Sequence, residues 1–224
     1  MNEDEFHDYW QRKTDSDHVL REGVDVFRIG AGEIQPFLHG ARSVLELGCG
    51  AGELLGHLAL ERSAYLGVDF SRSIVDTFKA RHPGVRVELG EASTFTVGEK
   101  FDFILVNNVI QYCAPWRTLA IIQNAAGLLA PGGRIFLGNI PNRHARLSYL
   151  RGHFTTERPG AFVRWVRLVR AFLFIASNRN DRIGYWYAPA DIARFAKPLG
   201  LEVAIFGCVL YPYRFTAVLE RARP

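Results

Sequence analysis

Apolar positions along this chain follow two different periods, and the two alternate. From Ala41 to Ile140, short apolar runs bounded by turn residues give way to stretches where apolar residues recur at three- and four-residue spacing. Ser43–Leu47 (interrupted by one acid, Glu46), Ala64–Val68, Val85–Leu89, Phe101–Val106 and Arg134–Leu137 read as strands. Gly52–Glu61, Ser71–Arg81 and Leu119–Leu129 read as helices, the last one stopped by Pro131-Gly132-Gly133. Alternation at this spacing predicts βαβ units and a mostly parallel sheet with right-handed crossovers. Strands that are apolar throughout need cover on both faces.

Past Ile140 the alternation breaks, and a long excursion runs to Tyr187. Pro189–Leu199 then reads as a helix, and Leu201–Val209 and Arg214–Glu220 as strands around the turn Leu210-Tyr211-Pro212-Tyr213. So short a connection implies an antiparallel hairpin at the sheet edge. The expected fold class is α/β: a Rossmann-like, mostly parallel sheet with an antiparallel C-terminal edge hairpin and a helical insertion after strand five. No repeat, low-complexity tract or linker divides the chain. It is expected to be one domain over 1–224, with an N-terminal helical segment 1–40 and a helical insertion 141–187 on the acceptor side.

Composition narrows the setting. At 224 residues, with 48% hydrophobic and 22% charged residues, the chain has the balance of a soluble globular protein. Cys49, Cys113 and Cys208 lie far apart with no CxxC pair, which argues against a disulfide framework or a zinc site and for a reducing cytoplasm. No metal is expected. The start, MNEDEFHDYW, is acidic and lacks the layout of a signal peptide. No uncharged run reaches the ~18 residues of a membrane span. The net charge of +4 is uneven, however: nine arginines against Glu157 and Asp181 leave residues 143–182 at +7 and the remainder at −3. A basic surface so localised points to a substrate or partner.

The sharpest local signal is Val44-Leu45-Glu46-Leu47-Gly48-Cys49-Gly50-Ala51-Gly52. Alternate glycines where a strand hands over to a helix let backbone amides approach a ligand. A glycine-rich turn with no ligand is the plain alternative. A dinucleotide fingerprint would need a small residue at 53, where Glu53 stands, and a P-loop would need a following Gly-Lys-Ser or Gly-Lys-Thr. Asp69 ends the next strand, about twenty residues on, where a carboxylate can accept both hydroxyls of an adenosine ribose. Its alternative is a role at the start of the following helix, which Ser71 can also fill.

These features in this order resemble class I S-adenosylmethionine-dependent methyltransferases, in particular the small bacterial group with an E-x-G-x-G-x-G loop. The resemblance covers 41–140 and extends to the closing hairpin. It implies S-adenosylmethionine as cofactor and S-adenosylhomocysteine as product. Glu46, Gly48, Cys49, Gly50 and Gly52 would cradle the methionine part, Asp69 would hold the ribose, and Phe70 would flank adenine. Gly90-Glu91-Ala92 resembles the family's G-D-A, with Glu91 in place of Asp and Ala92 beside it. Asn107, at the end of the fourth strand, would meet the methionine amino group through its backbone.

The acceptor should lie beyond the carboxyl ends of strands four and five. By location, Gln111, Tyr112, Asn142, Arg143, Tyr185 and Trp186 are acceptor-side candidates, with Tyr112 also a candidate for the chemistry. His144 is the best-placed base for a hydroxyl acceptor, and a surface histidine among arginines is its alternative. Ala161–Ala176 reads as a helix whose Arg164, Arg167 and Arg170 sweep a limited arc, leaving an apolar remainder that wants cover. It would serve as a lid, as a homodimer interface, or as a contact with the inner membrane face. Phe6, His7, Asp8, Tyr9 and Trp10 form an aromatic N-terminal stretch that either closes over the cofactor or staples to the sheet. Leu210–Phe215 weakly resembles methyltransferases of surface-polysaccharide biosynthesis. This tilts the expected acceptor to a hydroxyl of a saccharide or a nucleotide- or lipid-linked sugar, whose phosphate the arginines would meet. The alternative keeps the cofactor and methylates nitrogen or carbon of a quinone or natural-product intermediate. A nucleic-acid acceptor is disfavoured, because Asn107-Asn108-Val109-Ile110 stands where an Asn-Pro-Pro-Tyr or Asp-Pro-Pro-Tyr motif would follow strand four. A non-catalytic cofactor-binding protein is the last alternative.

Overall fold

The structure is a computed structural model that describes residues 25–151, 162, 163, 165, 166, 169 and 184–221. Seven strands form one sheet: β1 (Val44–Leu47), β2 (Tyr65–Asp69), β3 (Arg86–Leu89), β4 (Phe101–Asn107), β5 (Leu129–Pro141), β6 (Leu201–Gly207) and β7 (Arg214–Arg221). Their order is β3-β2-β1-β4-β5-β7-β6. The first five run parallel, and β7 inserts antiparallel between β5 and β6. The expected edge hairpin is present, with its second strand on the inside.

Alternate residues of each central strand feed opposite layers. Phe103 and Leu105 of β4 and Phe136 of β5 pack on one face with Ala31, Ile34 and Leu38 of helix α1 (Val26–Leu38) and with Val75 and Phe78 of helix α2 (Arg72–Arg81). Ile104 and Val106 of β4 and Ile135 and Leu137 of β5 pack on the other face, with Ile121, Ile122 and Ala125 of α3 (Pro115–Leu128). Ile192 and Ala196 of α5 (Pro189–Ala196) join that second layer, beyond the short α4 (Arg146–Leu150). Two covered faces explain why the central strands carry so few polar residues. The sheet order reverses direction between β1 and β4, which opens a crevice at their carboxyl ends.

The helix expected over Gly52–Glu61 does not form. A single 3-10 turn, Leu55–His57, stands there, and the chain is extended at Leu58. Gly56 lies mid-run, at a cost of about 1 kcal/mol relative to Ala in a helix. Gln35 of α1 meanwhile captures both backbone groups of Ala59, accepting from its N–H at 2.9 Å and donating to its C=O at 3.3 Å. Leu54, Leu55 and Leu58 are buried by this turn all the same, so their helical spacing misled. Pro131-Gly132-Gly133 lies inside β5, which begins at Leu129 and shifts register against β4 between Phe101 and Phe103. Of the N-terminal segment expected to be helical over 1–40, residues 1–24 lie outside the described residues; α1 occupies Val26–Leu38 and is capped by Asp25, which accepts from the Arg28 N–H at 2.9 Å. Residues 6–10 and most of the 161–176 stretch lie outside the described residues; backbone at 162, 163, 165, 166 and 169 is helical.

Candidate functional site

The glycine loop takes its shape from three left-handed glycines: Gly48, Gly50 and Gly52 have φ of 81°, 57° and 81°. The N–H groups of Gly48 and Cys49 both donate to the Val68 carbonyl, at 2.7 and 3.1 Å, folding the loop back toward β2. A Cβ at Gly48 would overlap the Val109 side chain, and one at Gly52 would come within 2.5 Å of the His82 ring. Packing alone therefore demands glycine at both positions.

Asp69 ties the loop to the end of β2. One of its carboxylate oxygens accepts from the Gly50 N–H at 3.1 Å and the other from the Ser71 N–H at 3.0 Å. It thus serves the entry of α2 as well as the glycine loop. Burial raises its pKa, and hydrogen bonds from the Ser71, Gly50 and Phe70 amides oppose that rise. Glu46 lies deeper, on β1, where the Tyr65 hydroxyl donates to it at 2.6 Å. Burial is the main cause that pushes the Glu46 pKa up to about 8; the Tyr65 hydrogen bond pulls it down, and Glu53 and Asp69 add to the rise.

These groups open onto one cavity at the crevice. Its wall combines Glu46, Gly48, Cys49 and Gly50 with Asp69 and Phe70. Glu91 and Ala92 close the side beyond β3, while Asn107 and Tyr112 close the side beyond β4. All ten were singled out from the sequence, and the fold brings them together. Gly52 lies behind the loop, where its carbonyl meets the His82 ring at 3.0 Å.

The acceptor-side candidates other than Tyr112 lie apart from the cavity wall. Gln111 is buried and donates to the Asn108 carbonyl at 3.4 Å. Asn142 bridges to Tyr187, Arg143 pairs with Asp191, and His144 sits exposed on the 3-10 turn Arg143–Ala145. The Tyr185 N–H donates to the Gln111 carbonyl at 2.6 Å. Trp186 is buried between Tyr149 and Tyr213, with ring centroids at 5.5 and 6.2 Å. None of these six lines the cavity.

Sequence reasoning missed Phe27, Glu53, Asn108, Val109 and Arg117, which do line it. Phe27 arrives from α1, remote in sequence, with no local signal. Asn108 carried one, since asparagine is the residue besides glycine that most readily turns left-handed at a strand end. Four carboxylate residues line the wall (Glu46, Glu53, Asp69 and Glu91) with one guanidinium, Arg117. Glu53 is paired with Arg81 at 3.0 Å.

The strand order and the loop define the class: this is the fold of class I S-adenosylmethionine-dependent methyltransferases. Residues 45–135 match the family described as a methyltransferase domain. It is 40% identical over 114 residues to chondramide synthase of Chondromyces crocatus, covering 46% of this chain and 3% of that one. It is 30% identical over 162 residues to a ubiquinone biosynthesis O-methyltransferase of Chelativorans sp., covering 65% of this chain and 62% of that one. The chain spans less than two thirds of the length of either curated relative. Among solved structures it is similar to an amino pentose methyltransferase of Micromonospora echinaspora with S-adenosylmethionine bound. That likeness has a TM-score of 0.60 and 18% identity, covering 99% of this chain and 98% of that one. Among the described residues, no helix is long and apolar enough to cross a membrane.

Proposed function

We propose that this protein transfers the methyl group of S-adenosylmethionine to an oxygen of a small polar acceptor, a saccharide or a nucleotide- or lipid-linked sugar. The observation that carries the reading is the cavity itself: it opens beside the glycine loop and is lined by four acids and one guanidinium. Such a wall suits a ligand bearing a sulfonium and an ammonium group together with a single carboxylate.

In this reading Asp69 accepts from the ribose hydroxyls, Phe70 covers adenine, and Glu91 and Ala92 close that end. Gly48, Cys49, Gly50 and Asn107 surround the methionine part, with Glu46 beneath it. S-adenosylmethionine supplies a methyl group already activated by positive sulfur. What the chain's residues then contribute is alignment, which in favourable cases is worth roughly 7–11 kcal/mol. Tyr112, in the wall beyond β4, is the hydroxyl that orients the acceptor. His144 serves as base only if the acceptor reaches the exposed turn that carries it.

The O-methyltransferase among the relatives supports transfer to oxygen, and the amide-bearing wall at Asn107 and Asn108 supports a hydroxyl-rich acceptor. The names of both curated relatives favour a second reading, methylation of a quinone or natural-product intermediate. Calorimetry should show binding of S-adenosylmethionine and S-adenosylhomocysteine; no heat with either, in folded protein, overturns the cofactor assignment. Labelled S-adenosylmethionine incubated with cell extract, followed by mass spectrometry of the methylated product, identifies the acceptor. A sugar product supports the first reading, and a quinone or peptide product replaces it with the second.

A further inference from the structure

Two adjacent strands end in the same unusual way. Asn108, one residue past β4, has φ of 58°, and Asn139, near the end of β5, has φ of 60°. They are the non-glycine residues with left-handed backbone among those described. Such residues persist where their surroundings hold them, and they gather at ligand sites.

Three bonds grip Asn108. Its N–H donates to the Gly138 carbonyl at 3.3 Å, and its carbonyl accepts from the Gln111 side chain at 3.4 Å. Its side-chain oxygen accepts from Arg214 Nη1 at 3.3 Å. The same Nη1 donates to the Asn139 carbonyl at 3.1 Å, so one guanidinium braces both left-handed corners. Arg214 is itself held by stacking on Tyr211 and Tyr213, its guanidinium carbon 4.9 and 5.5 Å from the ring centroids.

This brace holds the oxygen end of the Asn108 amide against Arg214. With the oxygen taken by Arg214, the NH2 end is turned away from the brace, and Asn108 lines the cavity wall. Asn107 differs: its side-chain oxygen accepts from Asn139 at 3.1 Å and packs against Gly138, where a Cβ would overlap it. The neighbouring Val109 packs over Gly48, so Asn108 stands beside the glycine loop, away from Phe70 and Ala92 at the other end.

We propose that Asn108 is an acceptor-binding residue whose side-chain NH2, oriented by Arg214, donates a hydrogen bond to an oxygen of the acceptor adjacent to the atom that is methylated. This rests on the methyltransferase reading and adds a specificity-determining residue to it. The partner is the adjacent oxygen for a chemical reason. A nucleophilic oxygen gives up electron density as its bond to carbon forms, so a donor placed on that atom would oppose the step. A donor on the neighbouring oxygen fixes orientation without that penalty. The acceptor class is therefore one with two oxygens on neighbouring carbons, as in a vicinal diol. Asn108 touches the acceptor, and Arg214 acts through it as a positioning residue.

Three variants test this in the full chain: Asn108→Gly, Arg214→Lys and the double variant. Glycine keeps the left-handed backbone without strain, so Asn108→Gly removes the amide while preserving the fold. Each is assayed for S-adenosylhomocysteine binding by calorimetry and for label transfer from S-adenosylmethionine across a dilution series of the small-molecule fraction of cell extract. The expected result is a half-saturating extract concentration raised at least tenfold in Asn108→Gly and several-fold in Arg214→Lys. S-adenosylhomocysteine affinity stays within twofold throughout. The double variant is no worse than Asn108→Gly alone, because Arg214 has nothing left to orient. Unchanged half-saturation in Asn108→Gly overturns the proposal and leaves the methyltransferase reading intact. A parallel loss of S-adenosylhomocysteine affinity, or additive losses in the double variant, also overturns it. No transfer by the wild type despite S-adenosylhomocysteine binding overturns the transferase reading and the proposal with it.

Discussion

At the scale of single residues, Glu46 and Asp69 carry the clearest consequences. Glu46 interrupts an otherwise apolar strand, and burial holds its pKa at about 8, against 4.5 when unburied. The folded state therefore keeps a proton that the unfolded chain has released. The stability this group contributes is full below pH 4.5, falls as the pH rises, and is lost once the pH passes about 8. Melting temperatures of the ligand-free protein from pH 5 to 8 should decline, and Glu46→Gln should flatten that decline. An equal slope in both proteins would remove Glu46 as its source. Asp69→Ala should weaken S-adenosylhomocysteine binding by roughly 1–3 kcal/mol in calorimetry, the scale of a lost hydrogen bond to a charged group. It should also lower the melting temperature, since the Gly50 and Ser71 amides lose their acceptor. Both acids were visible in the sequence by position. Their environments were not, because desolvation depends on what the other strands and helices place around a carboxyl.

At the scale of elements, the loop between β1 and the Leu55–His57 turn tolerates little change. Gly48→Ala meets two penalties: a left-handed backbone costs an L-residue roughly 1–2 kcal/mol, and its Cβ overlaps Val109. The variant should melt several degrees lower and bind S-adenosylhomocysteine at least tenfold more weakly. Adding Val109→Ala should recover part of the stability, because it removes the overlap and leaves the backbone strain. If the second substitution recovers nothing, the contact is not the cause. The central strands β1, β2 and β4 proved easy to read because each is buried on both faces and its run is almost wholly apolar, whereas the edge strands β3 and β6 are largely exposed. The Gly52–Glu61 segment was misread because the spacing of Leu54, Leu55 and Leu58 reports burial on one side, which a single turn satisfies as well as a helix. Gln35, whose hold on Ala59 turns the chain out, is 24 residues away in sequence.

For the molecule as a whole, ligand binding should appear as stability. A ligand at a hundred times its dissociation constant adds about 2.7 kcal/mol. For a chain of this size, that is a rise of about 5–11 °C in melting temperature. S-adenosylhomocysteine should produce such a shift in the wild type and a smaller one in Asp69→Ala at the same concentration; equal shifts would separate Asp69 from the site. The basic segment 143–182 belongs to this scale too, and where it is described its charges are partly spent inside the fold. Arg143 pairs with Asp191, and Arg146 is buried. A run of arginines in sequence therefore overstates the free positive surface.

The sequence by itself determined the α/β class, the edge hairpin, the glycine loop and the order of Glu46, Asp69, Glu91 and Asn107 along one crevice. Those features are local: each depends on a period, a strand end or a glycine that neighbouring residues specify. Only the tertiary structure decided which candidates meet. It drew Phe27, Asn108 and Arg117 into the cavity wall, and it left Asn142, Arg143, His144, Tyr185 and Trp186 outside. It also set Arg214, more than a hundred residues away, to orient the Asn108 amide. Those contacts join β4, β5 and β7, and no sequence period encodes which side chains such distant segments bring face to face.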